Sequence, residues 1–372
     1  TIRIDAYFDY IWDGYIYSNP DTAYILAQDM LRFADEKAYQ KAKSKAYNLM
    51  GVSKRLRSNY SEALDYYKKS FLINEEIGDI KGIANSFNSF GIIYRKQGEY
   101  SKALEYYQRS LKINEKINDI DGIARNLKNI GIIYRNQGEF KKALEYYQRS
   151  LKIKEEIGDI KGIANSFNGF GIIYQEQADY SKALDYYLRS LKINEKINDI
   201  EGIARTMNNI GTTYTNIGDF SKALEYYQRS LKIKETIGGK RGICITVRNI
   251  GSIYIVQGEY LKALKYCKRA LNISQEIGAI DLEKDACECL YETYKAQGNT
   301  NEALVYIEKK QIIEDSLNAQ EIGKKLQQME FQKQVFEDSL AREKVIQLEK
   351  QKKEEIIQAK KRQNQIQYSL ML

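Results

Sequence analysis

Residues 80–118 read IKGIANSFNSFGIIYRKQGEYSKALEYYQRSLKINEKIN, and residues 120–158 read IDGIARNLKNIGIIYRNQGEFKKALEYYQRSLKIKEEIG. The second stretch is the first displaced by 40 residues, and the displacement continues in both directions. Glycine recurs at Gly51, Gly91, Gly131, Gly171, Gly211 and Gly251, and an Ala-Leu pair recurs from Ala63-Leu64 through Ala103-Leu104 to Ala303-Leu304. Self-similarity at a fixed period of this size marks a stack of small units, each contacting its neighbours, instead of one large core.

Two apolar stripes with helical spacing lie within each period. Ile83, Phe87, Phe90 and Tyr94 step by three and four, as do Tyr100, Ala103, Leu104, Tyr107 and Leu111. Gly98-Glu99 separates the two stripes, and Gly78-Asp79 or Asn118-Asp119 separates the second from the next first. Glycine suits a helix end and aspartate the following start. Each half-period is predicted to be a helix of about 17 residues, roughly 25 Å long. Gly91 and Ala103 let two antiparallel helices approach closely, and Tyr94 and Tyr107 fill the adjoining space. Glu105–Arg109, Glu145–Arg149 and Glu225–Arg229 are i,i+4 pairs in the favourable order on the outward face.

The pattern Phe87-x2-Phe90-Gly91-x2-Tyr94, then Ala103-x3-Tyr107, resembles the tetratricopeptide repeat signature. Leu127, Ile130, Gly131, Tyr134, Ala143 and Tyr147 repeat it. The chain departs from the signature in lacking the proline and in its period of 40, which is similar to the longer-repeat branch that includes kinesin light chains and peptide-sensing bacterial regulators. The resemblance implies an all-α fold, an α-α superhelix of about eight helical hairpins. They span residues 1–38, 41–78, 81–118, 121–158, 161–198, 201–238, 241–278 and 281–317. The outer hairpins are degraded, with Ile11 and Tyr291 where glycine stands elsewhere, as caps facing water on one side should be.

Composition narrows the function. Hydrophobic residues make up 43% and charged residues 29%, and the single proline is Pro20, as long uninterrupted helices require. The net charge of +8 is spread along helices with signs interleaved, which does not point to nucleic acid. With no histidine, the commonest general base and most zinc sites are excluded. Glu75-Glu76 and Glu155-Glu156 read as solvated helix faces, and no phosphate-cradling glycine loop is present. The expectation is a chain with no catalytic residues, no metal and no cofactor. Cys244, Cys267, Cys287 and Cys289 form no Cys-x-x-Cys pair and read as small apolar fillers.

From about Asn318 the period stops. Residues 318–372 read as a helical tail: Ile322, Leu326, Met329, Phe336 and Leu340 sit near heptad spacing, which predicts a long helix and a coiled coil able to seam a homodimer. The alternative is a single helix folded back on the end of the solenoid. Lys360-Lys361-Arg362 precede an apolar end at Leu370-Met371-Leu372, the arrangement expected where a membrane segment follows Leu372. Repeats, coiled coil and membrane edge together resemble the sensor region of bacterial membrane histidine kinases and related regulators. On that resemblance the repeats are the soluble part of a membrane-anchored protein, with the basic trio favouring the cytoplasmic side over the outside.

The family resemblance implies that the first helix of each hairpin lines the concave surface and holds the ligand. One slot on that helix carries Asn85, Arg125, Asn165 and Arg205. The next carries Asn88, Lys128, Asn168, Asn208 and Arg248. A third carries Asn129, Asn209 and Asn249, and a later one Arg95 and Arg135. Asparagine can donate to and accept from an extended peptide backbone, and Arg and Lys suit carboxylates. The function expected is a protein- or peptide-binding module, the sensor or regulatory region of a signal-transduction protein. The alternative is a constitutive assembly scaffold or adaptor dimerised through the tail.

Overall fold

A computed structural model describes residues 2–317, apart from 17, 18 and 58, together with residue 323. The expected coiled coil and dimer seam of residues 318–372, and any segment after Leu372, lie outside the described residues. The chain divides into two compact units, Thr1–Lys310 and Gln311–Leu372; the solenoid is the first.

Sixteen helices and no strand are found among the described residues. They run in order as α1 (Ile2–Gly14) and α2 (Pro20–Glu36), α3 (Gln40–Leu56) and α4 (Tyr60–Glu76), α5 (Ile80–Lys96) and α6 (Tyr100–Lys116), α7 (Ile120–Asn136) and α8 (Phe140–Glu156). Then come α9 (Ile160–Glu176) and α10 (Tyr180–Lys196), α11 (Ile200–Ile217) and α12 (Phe220–Ile237), α13 (Lys240–Val256) and α14 (Tyr260–Glu276), α15 (Ile280–Ala296) and α16 (residues 300–317). Each hairpin packs on the next through α4 against α5, α6 against α7, and so on. Odd-numbered helices also touch one another, α5 with α7, α9 with α11, α11 with α13 and α13 with α15, whereas among the described residues the even-numbered helices from α2 to α14 make no comparable approach. The odd helices therefore form the inner wall of a superhelical solenoid.

Capping sets the helix starts. The side chains of Asp79, Asp119, Asp159 and Asp199 accept from the backbone N–H three residues on, at 2.9, 3.4, 2.8 and 3.2 Å. The preceding residue takes a left-handed conformation, φ +67° at Gly78 but also +53° at Asn118 and Asn198. Asparagine tolerates that conformation locally.

The core of each hairpin is a tyrosine seated on a glycine. A Cβ on Gly91 would lie 2.6 Å from the Tyr107 ring, which is fully buried. Tyr67, Tyr147, Tyr187 and Tyr227 fill the same place in their hairpins. Each such ring contributes on the order of 2 kcal/mol by burial. A second tyrosine pair stacks between the helices, Tyr94 on Tyr106 at 5.3 Å and Tyr174 on Tyr186 at 5.4 Å between centroids. Lys102 and Lys182 cap the first ring of these pairs, at 5.4 and 5.3 Å. Of the outward i,i+4 pairs, Glu105–Arg109 closes at 2.6 Å and Glu225–Arg229 at 3.7 Å, while Arg149 lies over Tyr146.

The cysteines depart from the sequence reading. Cys244 and Cys287 are buried free thiols, as apolar fillers should be, but Cys267 and Cys289 form a disulfide between α14 and α15. Cys267 stands where the other hairpins carry the seated tyrosine, and both sulfurs pack toward Gly251. Two sulfurs thus occupy space that a ring fills elsewhere, which no Cys-x-x-Cys spacing could signal.

Candidate functional site

All of the slots read as ligand-facing lie on the odd helices α5, α7, α9, α11 and α13, whose mutual approach makes the inner trough. Several of their side chains bond to one another across hairpins. Asn129 Nδ2 donates to Asn88 Oδ1 at 2.8 Å, and Asn209 Nδ2 donates to Asn168 Oδ1 at 2.8 Å. Arg205 Nη2 donates to Asn165 Oδ1 at 2.7 Å. Asn208 Oδ1 accepts from Thr246 Oγ1 at 2.9 Å and from Lys234 Nζ at 3.4 Å. Arg125 pairs with Asp121 on its own helix at 2.9 Å, and Arg248 approaches Asp285 at 3.8 Å. These amides and guanidiniums keep part of their capacity, yet they are not the free donors that single-residue reasoning describes.

Other groups are less fully paired. Lys128 makes no hydrogen bond or ion pair among the described residues, and burial pushes its ammonium down to about 8, with Lys154, Arg205 and Arg95 pushing the same way against Asp159. The Nε atoms of Arg95 and Arg135 are buried without a hydrogen-bond partner. Arg135 Nη2 reaches Asn136 at 3.0 Å, and its Nε lies 3.7 Å from Glu176. Asn85 and Asn249 complete the slots, half-buried on α5 and α13.

Sequence reasoning missed three features, two on the inner wall and one behind it. Arg55 on α3 extends the Arg95 and Arg135 column by one hairpin and also has a buried, unpartnered Nε; the 40-residue period would have found it. Lys96 on α5 is lowered by burial and then by Arg95, Arg55 and Arg241, with Asp281 opposing. The third hairpin's wall therefore faces the starts of α13 and α15 across the trough. The third feature is a row of polar residues at the ends of even helices. Asn74, Asn114 and Asn194 fill a buried slot between hairpins that Lys154 and Lys234 take over in α8 and α12. Lys154 Nζ donates to Gly162 O and Ser166 Oγ, both at 3.3 Å. Lys234 Nζ donates to Thr246 Oγ1 at 2.7 Å and Gly242 O at 3.3 Å, and burial lowers it to about 8. Among the described residues neither ammonium meets a carboxylate in an ion pair, though Asp159 and Asp121 bear on Lys154 by charge.

Helices paired in this way around a curved inner wall are those of a helical-repeat interaction protein. Family profiles described as tetratricopeptide repeat match residues 43–116, 122–196 and 162–236, and a further one matches 249–277. The chain belongs to the tetratricopeptide repeat family. No match is found among curated proteins. Among solved structures, a Rap protein complexed with Competence and Sporulation Factor is 14% identical, with TM-score 0.59 over 86% of this chain and 98% of that one. Aspartyl phosphate phosphatase F from Bacillus subtilis is 14% identical, with TM-score 0.58 over 78% and 75%. The apo quorum sensor NprR from B. thuringiensis is 15% identical, with TM-score 0.56 over 78% and 85%. At these identities the likeness is one of fold. Among the described residues no helix is long and apolar enough to cross a membrane.

Proposed function

We propose that this chain is a protein- or peptide-binding module whose inner trough receives an extended peptide or a partner helix, and that it serves as the sensing or regulatory region of a signalling protein. The observation that carries the reading is the unpartnered Lys128 ammonium set among paired asparagines on the inner wall. A polar recess with preformed, partly satisfied amides offers an extended backbone donors and acceptors without first having to order them. The fold is shared with a Rap protein solved with Competence and Sporulation Factor and with the quorum sensor NprR, which supports a regulatory role. The membrane histidine kinase setting is a further proposal, supported by the tail's sequence alone.

The test is selection of binders from a random decapeptide library, followed by hydrogen exchange of the complex. Protection confined to α5, α7, α9 and α11, and loss of binding in Asn88→Ala/Asn168→Ala with the fold intact, is the expected result. Binders that protect only the even-numbered helices would refute the reading.

A further inference from the structure

We propose, on the reading that the trough is the binding surface, that its N-terminal half is a track for an extended acidic peptide, gripped by the arginine ladder Arg55, Arg95 and Arg135. These three occupy the same position on α3, α5 and α7, one rung per hairpin at 40-residue intervals. All three Nε atoms are buried and make no hydrogen bond among the described residues. Arg55 and Arg95 meet no carboxylate in an ion pair among the described residues, and Arg135 has only Glu176, at 3.7 Å from its Nε. Glu176 also marks the ladder's end. The next positions in the column are Gln175, Thr215 and Ile255, and Gln175 is engaged by Tyr187 and Thr213 at 3.1 and 2.8 Å.

The surroundings reinforce the charge instead of cancelling it. The buried Tyr107 hydroxyl sits among these guanidiniums: Arg95 bears on it by charge and by a side-chain hydrogen bond, and Arg55 by charge. Arg135 and Arg95 also bear by charge on the buried Tyr147, opposed by Glu176. Lys96 and Lys128 add ammoniums to the same stretch, opposed by Asp281 and Asp159. In the C-terminal half, by contrast, Arg241 is paired with Asp281 and Arg248 lies near Asp285. Neighbouring cations held in a recess where they outnumber their counter-ions repel one another, and an anionic guest reduces that cost as it binds.

Charge complementarity selects the occupant. Each guanidinium presents a fork that matches a carboxylate, and the Asn88–Asn129 pair beside the ladder suits a peptide backbone. Nucleic acid would need exposed rings to stack on, but Tyr107 and Tyr147 are 0% and 3% exposed and serve as helix spacers. The chain's own residues 318–372 contain more Lys and Arg than Asp and Glu, and a second copy brings a net charge of +8, so neither complements the ladder.

The experiment compares three fluorescein-labelled probes on the full chain: a decapeptide of alternating Glu and Ala, its Gln–Ala counterpart, and a ten-nucleotide oligo-dT. The expected result is that the Glu peptide binds at least about tenfold tighter than the Gln peptide, with affinity falling as salt rises. Arg55→Gln/Arg95→Gln should remove that advantage without lowering Tm, since each replacement keeps the first two methylenes of the stem and a polar end. Lys37→Gln/Lys68→Gln, a control pair outside the ladder, should leave the advantage intact. Equal binding of the two peptides, or an advantage that survives Arg55→Gln/Arg95→Gln, would overturn the ladder. If library-selected neutral peptides still protect the odd-numbered helices, the trough itself stands. Oligo-dT binding that depends on the same arginines would overturn the peptide as occupant.

Discussion

Replacing Gly171 by alanine sets two known effects against each other. Gly171 lies inside α9, where alanine favours the helix over glycine by about 1 kcal/mol. The new Cβ, however, would fall 2.5, 2.6 and 2.9 Å from Cε1, Cδ1 and Cζ of Tyr187. Tyr187 is fully buried and its hydroxyl donates to Gln175 at 3.1 Å, so the ring cannot swing aside without breaking that bond and opening the α9–α10 seam. Overpacking of this kind costs about 1–3 kcal/mol, and a lost buried hydrogen bond about 1 kcal/mol more. The expected outcome is a net destabilisation of about 1–3 kcal/mol, read as a lower urea midpoint at unchanged slope. Gly14→Ala, where nothing lies within 4 Å of the new Cβ, should instead be neutral or stabilising by up to about 1 kcal/mol. A Gly171→Ala midpoint above the wild type's would refute the view that the tyrosine seat fixes the spacing of the helices.

Reduction of Cys267–Cys289, which closes a separation of 22 residues, should cost about 3 kcal/mol in urea unfolding, and Cys244 and Cys287 should stay unreactive to thiol reagents in the folded state. Lys234 has a folded pKa of about 8 against an ordinary 10.5, so its burial cost is in full below pH 8 and fades as pH rises toward 10.5. Lys234→Asn, the residue used at Asn74, Asn114 and Asn194, should therefore gain most relative to wild type at pH 7, by on the order of 1–2 kcal/mol, and least at pH 10; a stability difference flat with pH in parallel urea melts would refute this. Asn209→Ala should cost about 1–3 kcal/mol because Asn168, only 5% exposed, loses its donor, and thermal melts against Asn249→Ala check it.

The array is legible in the residues because every hairpin repeats the same physical solution. The glycine seat, the tyrosine that fills it and the aspartate cap recur at one period, so local chemistry and global stacking agree. What escaped the sequence is what stacking creates between hairpins. Asn88 and Asn129 are 41 residues apart and looked like two free amides, yet they are one hydrogen-bonded pair. Arg55 was passed over because its hairpin has lost other marks of the repeat, with Lys54 in the tyrosine position. Lys154 and Lys234 were passed over because they lie on second helices, away from the wall where polar residues were sought. The disulfide joins a seat position in one hairpin to an asparagine-column position in the next, a correspondence that only the stacked solenoid reveals.

The asparagine pairs also couple hairpins two by two. Asn88 with Asn129, and Asn168 with Asn209, join the third hairpin to the fourth and the fifth to the sixth, while Asn165 with Arg205 repeats the latter junction. Excising residues 121–200 would set Asn88 opposite Asn209, the same kind of partner it has now. Excising 40 would set Asn88 opposite Gly169, which has no side chain to answer it. At this junction the loss of two hairpins keeps the seam matched, and the loss of one leaves a mismatched seam on the inner wall.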